Sequence, residues 1–132
     1  SHFNPTFNFV APKELRMPAE QKNFCEARGI KYNEYTEFTE EIINQTDILY
    51  MTRVQRERFF NEADYIRLKD SYILTPDKLK TAKEDLAILH PLPRVNEIST
   101  AVDEDPRACY FKQVLYGKYI RMALIMMLLE VE

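Results

Sequence analysis

Asp47-Ile48-Leu49-Tyr50-Met51 runs directly into Thr52-Arg53-Val54-Gln55-Arg56-Glu57-Arg58, and this junction decides the fold. A compact apolar run of this length, stopped by a dense polar segment, predicts a fully buried strand that delivers a charged loop. The same pattern recurs at Leu86-Ala87-Ile88-Leu89, which leads into His90-Pro91-Leu92-Pro93-Arg94 and then Val95-Asn96-Glu97-Ile98. Proline fixes φ and lacks a backbone donor, so the second loop is stiff and its carbonyls are free of competing N–H groups.

Working outward, Thr6 to Val10 alternates and stops at Ala11-Pro12, as a strand does. Met17-Pro18 opens a helical stretch from Ala19 to Arg28, closed by Gly29. Ile30 to Tyr35 has strand character, and Glu37 to Asn44 places Phe38, Ile42 and Ile43 at helical spacing. Asn61 to Lys69 reads as a helix with Ala63, Ile66 and Tyr65 turned inward, and Tyr72-Ile73-Leu74 is a further apolar run. Thr75-Pro76 predicts a capped helix start, continuing to about Lys83. Strand and helix alternate about four times, which argues for an α/β fold with a mostly parallel sheet flanked by helices. Loops that directly follow parallel strands leave at the carboxyl edge, where such sheets bind ligands. The two charged loops are therefore expected to converge there.

Composition narrows the function. The 132 residues carry a net charge of −3 and only two glycines. No glycine-rich phosphate loop can be written with so few glycines, and the charge offers no footprint for nucleic acid. Cys25 and Cys109 are too few for a disulfide framework and read as reduced structural thiols. His2 and His90 stand far apart, so no metal site is legible. Asn4, Pro5 and Asn8 interrupt the apolar residues of the N-terminus, which reads as lacking a signal peptide; Ser1-His2 resembles a tag remnant. The longest apolar run, Met122 to Leu129, has eight residues. Spanning a bilayer takes roughly 20.

The loops suggest anion and amine recognition. Arg53 and Gln55, two apart, point the same way in an extended segment. An arginine fork beside an amide suits a small anionic ligand with a polar tail, such as an amino acid. The alternative is a solvated charge run with Arg56 and Arg58 paired to Glu57 and Glu62. His90 is open to reading as a general acid or base, or as a hydrogen-bonded structural histidine. The proline-locked carbonyls of Pro91 and Leu92 can hold an amine at attack distance. Arg94 can bind an anion or pair with Glu97. The residues supply no nucleophile and no paired carboxylates for covalent or glycosidase chemistry. From Tyr110 to Leu129 the chain reads as one long helix, broken only by Gly117, whose last turns are apolar on every face. Such a helix must be covered on all sides, so another domain or subunit is expected to pack on it.

Taken together, Asp47 to Arg58 and His90 to Ile98 resemble aspartate carbamoyltransferase. So do Val10-Ala11-Pro12 with Leu15-Arg16-Met17-Pro18, Pro106-Arg107-Ala108-Cys109-Tyr110-Phe111, and Tyr119-Ile120-Arg121-Met122-Ala123-Leu124. The resemblance runs from about Phe7 to Leu129. The Val95-Asn96-Glu97-Ile98 and Arg121-Met122-Ala123 wording resembles the eukaryotic, multifunctional branch. It implies that residues 1–109 form the aspartate-binding α/β domain, N-terminally truncated, and that residues 110–132 form a helix packing on a carbamoyl-phosphate domain. It implies transfer of the carbamoyl group of carbamoyl phosphate to L-aspartate, in pyrimidine synthesis. Arg53 and Gln55 would bind aspartate, Pro91 and Leu92 would contact the carbamoyl group and the amine, and the Leu92–Pro93 bond would be cis. His90, Pro93, Arg94, Glu97 and Arg121 would support the site. No metal or organic cofactor, a homotrimer and a cytoplasmic location are further implications. The family's Ser-Thr-Arg-Thr phosphate loop and Gly-Arg-Thr segment are absent, so the chain is expected to be inactive alone. Ornithine carbamoyltransferase carries a catalytic cysteine where Pro91 stands, which argues against that relative. A non-catalytic amino-acid-binding or assembly module is the alternative from another class.

Overall fold

The computed structural model describes residues 4–53, 62–68 and 72–130. They divide into two compact units, residues 1–42 with 54–72, and residues 43–53 with 73–132.

The first unit is built on two parallel strands, β1 (Thr6–Val10) and β2 (Lys31–Tyr35), joined by helix α1 (Ala19–Ala27). Thr6 pairs with Lys31 and Val10 with Tyr35, so both strands run out at the same end. Proline at 18 precedes α1 with an extended backbone, the conformation its ring favours. Gly29 takes φ +63°, and Gly29 and Ile30 donate to the carbonyls of Glu26 and Cys25. This left-handed closure is the glycine C-cap that the sequence called for. Lys22 bonds Glu34 at 3.1 Å and the Tyr32 hydroxyl donates to Glu26 at 2.6 Å, tying α1 to β2. Helix α2 (Glu40–Asn44) begins three residues later than its spacing predicts. Helix α3 (Glu62–Leu68) forms as expected, but Ile66 is exposed and only Tyr65 of the three apolar positions is half-buried.

The second unit holds the core. Strand β3 (Ile48–Tyr50) pairs in parallel with β4 (Ala87–Leu89), with Ile48 opposite Ala87 and Tyr50 opposite Leu89. On its other side β4 meets Ala108 through a parallel bridge at Ile88. A second bridge joins Leu74 to Ile98, with Leu74 donating to Glu97 and Ser99 donating back at 2.9 Å each. Ile43, Met51, Leu74, Leu79, Leu86, Ile88, Ile98, Val102 and Tyr110 are buried around this framework. Burying a large aliphatic side chain is worth about 1.5–3 kcal/mol, so this cluster is where the unit gains its stability.

Three expectations need correction. The parallel strands fall into two pairs, one per unit, rather than one continuous sheet among the described residues. Strand β3 is not fully buried, since Ile48 is 62% and Tyr50 54% exposed. Only Leu49 between them turns toward cover, as strand alternation requires. The helix expected from Thr75 to Lys83 shrinks to one 3-10 turn, Asp77–Leu79, and Thr75 makes no side-chain cap there. After Leu79 no large apolar residue recurs until Leu86, so no stripe holds a helix against the core. The carbonyls of Ala82 and Lys83 instead accept from Arg107 Nη1 at 3.4 and 3.2 Å.

Helix α4 (Tyr110–Leu128) forms as expected, and Tyr110 is its buried residue. Apolar side chains from Phe111 to Leu129 stand at the surface, with Met127 at 75% and Leu128 at 83% exposed. No helix among the described residues is long and apolar enough to cross a membrane.

Candidate active site at the ends of β3 and β4

Because β3 and β4 are parallel and in register, the residues that follow them emerge side by side. Met51 N–H donates to the Leu89 carbonyl at 2.9 Å, and two residues later stands Arg53, exposed. From β4 the chain enters His90 and the proline loop. The convergence of the two charged loops is thus realised through the described part of the first, up to Arg53. Gln55, Arg56, Glu57 and Arg58 lie outside the described residues.

The proline loop is held from beneath. His90 is 1% exposed and both of its ring nitrogens are engaged: Nδ1 accepts from the Leu92 N–H at 2.8 Å and Nε2 meets Glu97 Oε1 at 2.7 Å. A proton-transfer role would require a ring nitrogen open to a ligand, and neither is. Glu97 Oε2 accepts from the N–H groups of Val95 and Asn96 at 3.0 Å each. Burial alone would raise the Glu97 carboxyl, but its own backbone amide, that of Val95 and the His90 imidazole hold it below the ordinary glutamate value. Pro91 is exposed, Leu92 is half-buried at φ +46°, and the Leu92–Pro93 bond is cis, as the resemblance implied.

Arg94 pairs with Asp103 rather than with Glu97. Its Nη1 and Nη2 make a two-pronged bond to Asp103 at 2.5 and 2.6 Å, and the Tyr110 hydroxyl donates to the same carboxylate at 2.5 Å. The guanidinium bond lowers Asp103 to about 2, despite partial burial. Burial and the neighbouring carboxylate raise Tyr110 to about 12. Gln113, on α4, joins both strands: its Oε1 accepts from the His90 N–H at 2.9 Å and its Nε2 donates to the Tyr50 hydroxyl at 3.3 Å. Sequence reading missed Asp103, Tyr110 and Gln113. The signal for the last two is their spacing of three on one helix face. Arg121 is exposed on α4, with Nη2 3.8 Å from where a Cβ on Gly117 would stand.

The family model described as aspartate/ornithine carbamoyltransferase, Asp/Orn binding domain, matches residues 1–128. The chain belongs to this family. It is 62% identical over 125 residues to the aspartate carbamoyltransferase catalytic subunit of Parabacteroides distasonis, covering 95% of this chain and 41% of that protein. The corresponding subunit of Finegoldia magna is 61% identical over 128 residues, covering 97% and 42%. Among solved structures, the catalytic subunit of M. jannaschii aspartate transcarbamoylase superposes with a TM-score of 0.83 at 39% identity, over 95% of this chain and 41% of that one. Aspartate transcarbamoylase from Trypanosoma cruzi, in complex with carbamoyl aspartate and phosphate, gives 0.79 at 35% identity, over 91% and 39%. The chain therefore spans about two-fifths of the length of these relatives.

The carboxylates of the site region set an acid limit. Asp103, Glu97 and Asp105 are all lowered in the fold, the last chiefly by its bond to Arg107. A lowered folded value contributes stability above the unfolded value and loses it as pH falls through the folded one. For Asp103 that window runs from its ordinary 3.8 down to about 2. Urea unfolding of the chain is expected to show a constant midpoint from pH 7 to about 5. Below that, Asp103 alone should give up on the order of 1 kcal/mol after solvent screening. In Asp103→Asn that part of the acid-dependent loss should disappear; a slope unchanged from wild type contradicts the assignment.

Proposed function

We propose that this chain supplies the aspartate side of an aspartate carbamoyltransferase active site, acting within a complete catalytic chain that transfers the carbamoyl group of carbamoyl phosphate to L-aspartate. The observation that carries the reading is the emergence of Arg53 and the Pro91-Leu92 carbonyls at the same end of two paired parallel strands. An arginine fork there binds a substrate carboxylate. Backbone carbonyls accept from the attacking amine and hold it against the carbamoyl carbon, so the chain contributes by positioning. Gln55 belongs to the same aspartate-binding group, and Pro91 and Leu92 are the residues that touch the reacting atoms. His90, Pro93, Arg94 and Glu97 support them, and Arg121 has its supporting role on the helix.

Residues 1–109 make up the aspartate-binding domain in this reading. Residues 110–132 pack on the carbamoyl-phosphate domain, which covers the apolar surface of α4 and supplies the phosphate contacts. Support comes from the exposed apolar side chains of α4 and from the share of the relatives' length that this chain spans. The complete protein works as a homotrimer in the cytoplasm, in pyrimidine synthesis.

Carbamoyl aspartate formation tests this reading. The 132-residue chain, given L-aspartate and carbamoyl phosphate, is expected to form no product, whereas a complete catalytic chain containing these residues turns over. Product from the isolated chain overturns the divided site. A complete chain that uses ornithine in place of aspartate overturns the substrate.

A further inference from the structure

The peptide group joining Pro91 to Leu92 is gripped by a side chain. Its N–H donates to His90 Nδ1 at 2.8 Å. An imidazole nitrogen that accepts a hydrogen bond carries no proton, so the proton of the neutral ring sits on Nε2. There it faces Glu97 Oε1, 2.7 Å away. The second Glu97 oxygen is taken by the N–H groups of Val95 and Asn96. Every partner of this carboxylate is a donor, and the pair is buried, His90 at 1% and Glu97 at 3% exposure.

A trans peptide is planar, with its N–H and C=O directed to opposite sides. Among the described residues the only cis bond is Leu92–Pro93, so the 91–92 peptide is trans. An N–H aimed inward at Nδ1 therefore turns the Pro91 carbonyl outward, and Pro91 is exposed. Rotating this peptide would leave both the Leu92 donor and the imidazole acceptor without a partner.

We propose that His90, locked as the Nε2–H tautomer by Glu97, is the positioning residue that aims the Pro91 carbonyl at the attacking amine. The proposal rests on the function above and adds the side chain that sets the carbonyl's direction. Glu97 acts one step further back. Its acceptor-only carboxylate is what forces the tautomer. A glutamine there must present its NH2 either to the loop amides, which lose their acceptor, or to Nε2, which drives the proton onto Nδ1 against the Leu92 N–H.

The test uses a complete catalytic chain containing these residues. Nitrogen-15 spectra of labelled histidine, with His90 assigned by its loss in His90→Gln, are expected to show Nε2 protonated and Nδ1 bare. A proton on Nδ1 of His90 overturns the proposal whatever the activity. In kinetics, the amide of His90→Gln reaches the place of Nε2 but not of Nδ1, so kcat should fall roughly tenfold to a hundredfold. The KM for carbamoyl phosphate should not change. His90→Asn, whose amide oxygen takes the place of Nδ1, should recover part of kcat. Equal losses in the two variants at matched thermal stability mean a bulk-filling role and sink the idea. Glu97→Gln gives a further check, with a shift of the His90 proton to Nδ1 or detachment of the Val95 and Asn96 amides, and a fall in kcat in either case. An unaltered tautomer and full kcat in that variant also overturn it. A wild-type chain that forms no carbamoyl aspartate overturns the functional reading instead, a result separate from the tautomer spectrum.

Discussion

Arg53→Ala, placed in a complete catalytic chain, is expected to raise the KM for aspartate by roughly tenfold to a hundredfold, matching the 1.5–3 kcal/mol of a charge-assisted hydrogen bond. Tyr50 lies opposite Leu89 and Met51 bonds the Leu89 carbonyl, so the chain at Arg53 leaves the sheet beside the proline loop. Arg53 is the first charged residue after that exit, two residues past Met51. In the proposed site, a carboxylate held by Arg53 brings the neighbouring amine toward the Pro91 and Leu92 carbonyls. The KM for carbamoyl phosphate should move little, because its phosphate contacts are assigned to the other domain. Arg53→Lys should recover only part of the loss, since an ammonium keeps the charge but cannot make the two-pronged bond. Steady-state kinetics with each substrate varied in turn decides the matter. An aspartate KM equal to wild type in the alanine variant removes Arg53 from the site.

Arg94→Leu is expected to cost about 2–4 kcal/mol in stability, toward the lower end of what breaking a buried ion pair costs. Asp103 would lose both guanidinium bonds and keep the Tyr110 hydroxyl as its side-chain partner in the fold. The side chains are 16% and 24% exposed, so water can reach the stranded carboxylate in part, which places the figure below the fully buried case. Urea unfolding measures the loss. The double variant Arg94→Leu with Asp103→Leu should be less destabilised than the sum of its singles, because the unpaired charge is then gone. Strict additivity would show that the bond contributes nothing of its own. Since Arg94 follows cis-bonded Pro93 directly, the pair also anchors the far end of the proline loop.

Much of the frame was legible because its signals are local. The apolar runs of β3 and β4, the alternation of β1, and Gly29 after α1 each depend on a few adjacent residues and on simple backbone sterics. The choice of partners was not legible. Glu97 sits three residues from Arg94 and was one of two partners open to it, yet the loop turns at Leu92 and Glu97 meets His90 instead. Arg94 then finds Asp103, brought round by the turns that end in the Leu74–Ile98 bridge and the 3-10 turn Thr100–Val102. Thr75-Pro76 carried a good helix-start signal but no apolar stripe behind it, and Arg107 bonds the carbonyls of Ala82 and Lys83 beyond the short 3-10 turn.

By itself the sequence determined the α/β class, the two charged loops, the resemblance that family membership bears out, and an apolar C-terminal helix. These follow from periodicity, proline and glycine chemistry, and motif wording, all readable along the chain. Only the tertiary structure decided that the parallel strands pair two by two, that β3 is half-open, and that His90 is sealed between Leu92 and Glu97. Those outcomes depend on which groups, far apart in the chain, satisfy one another's hydrogen bonds once water is excluded. Pairing of that kind is settled by packing in three dimensions, where His90 has no ring nitrogen to offer a substrate and instead holds the Leu92 N–H and the Glu97 carboxylate.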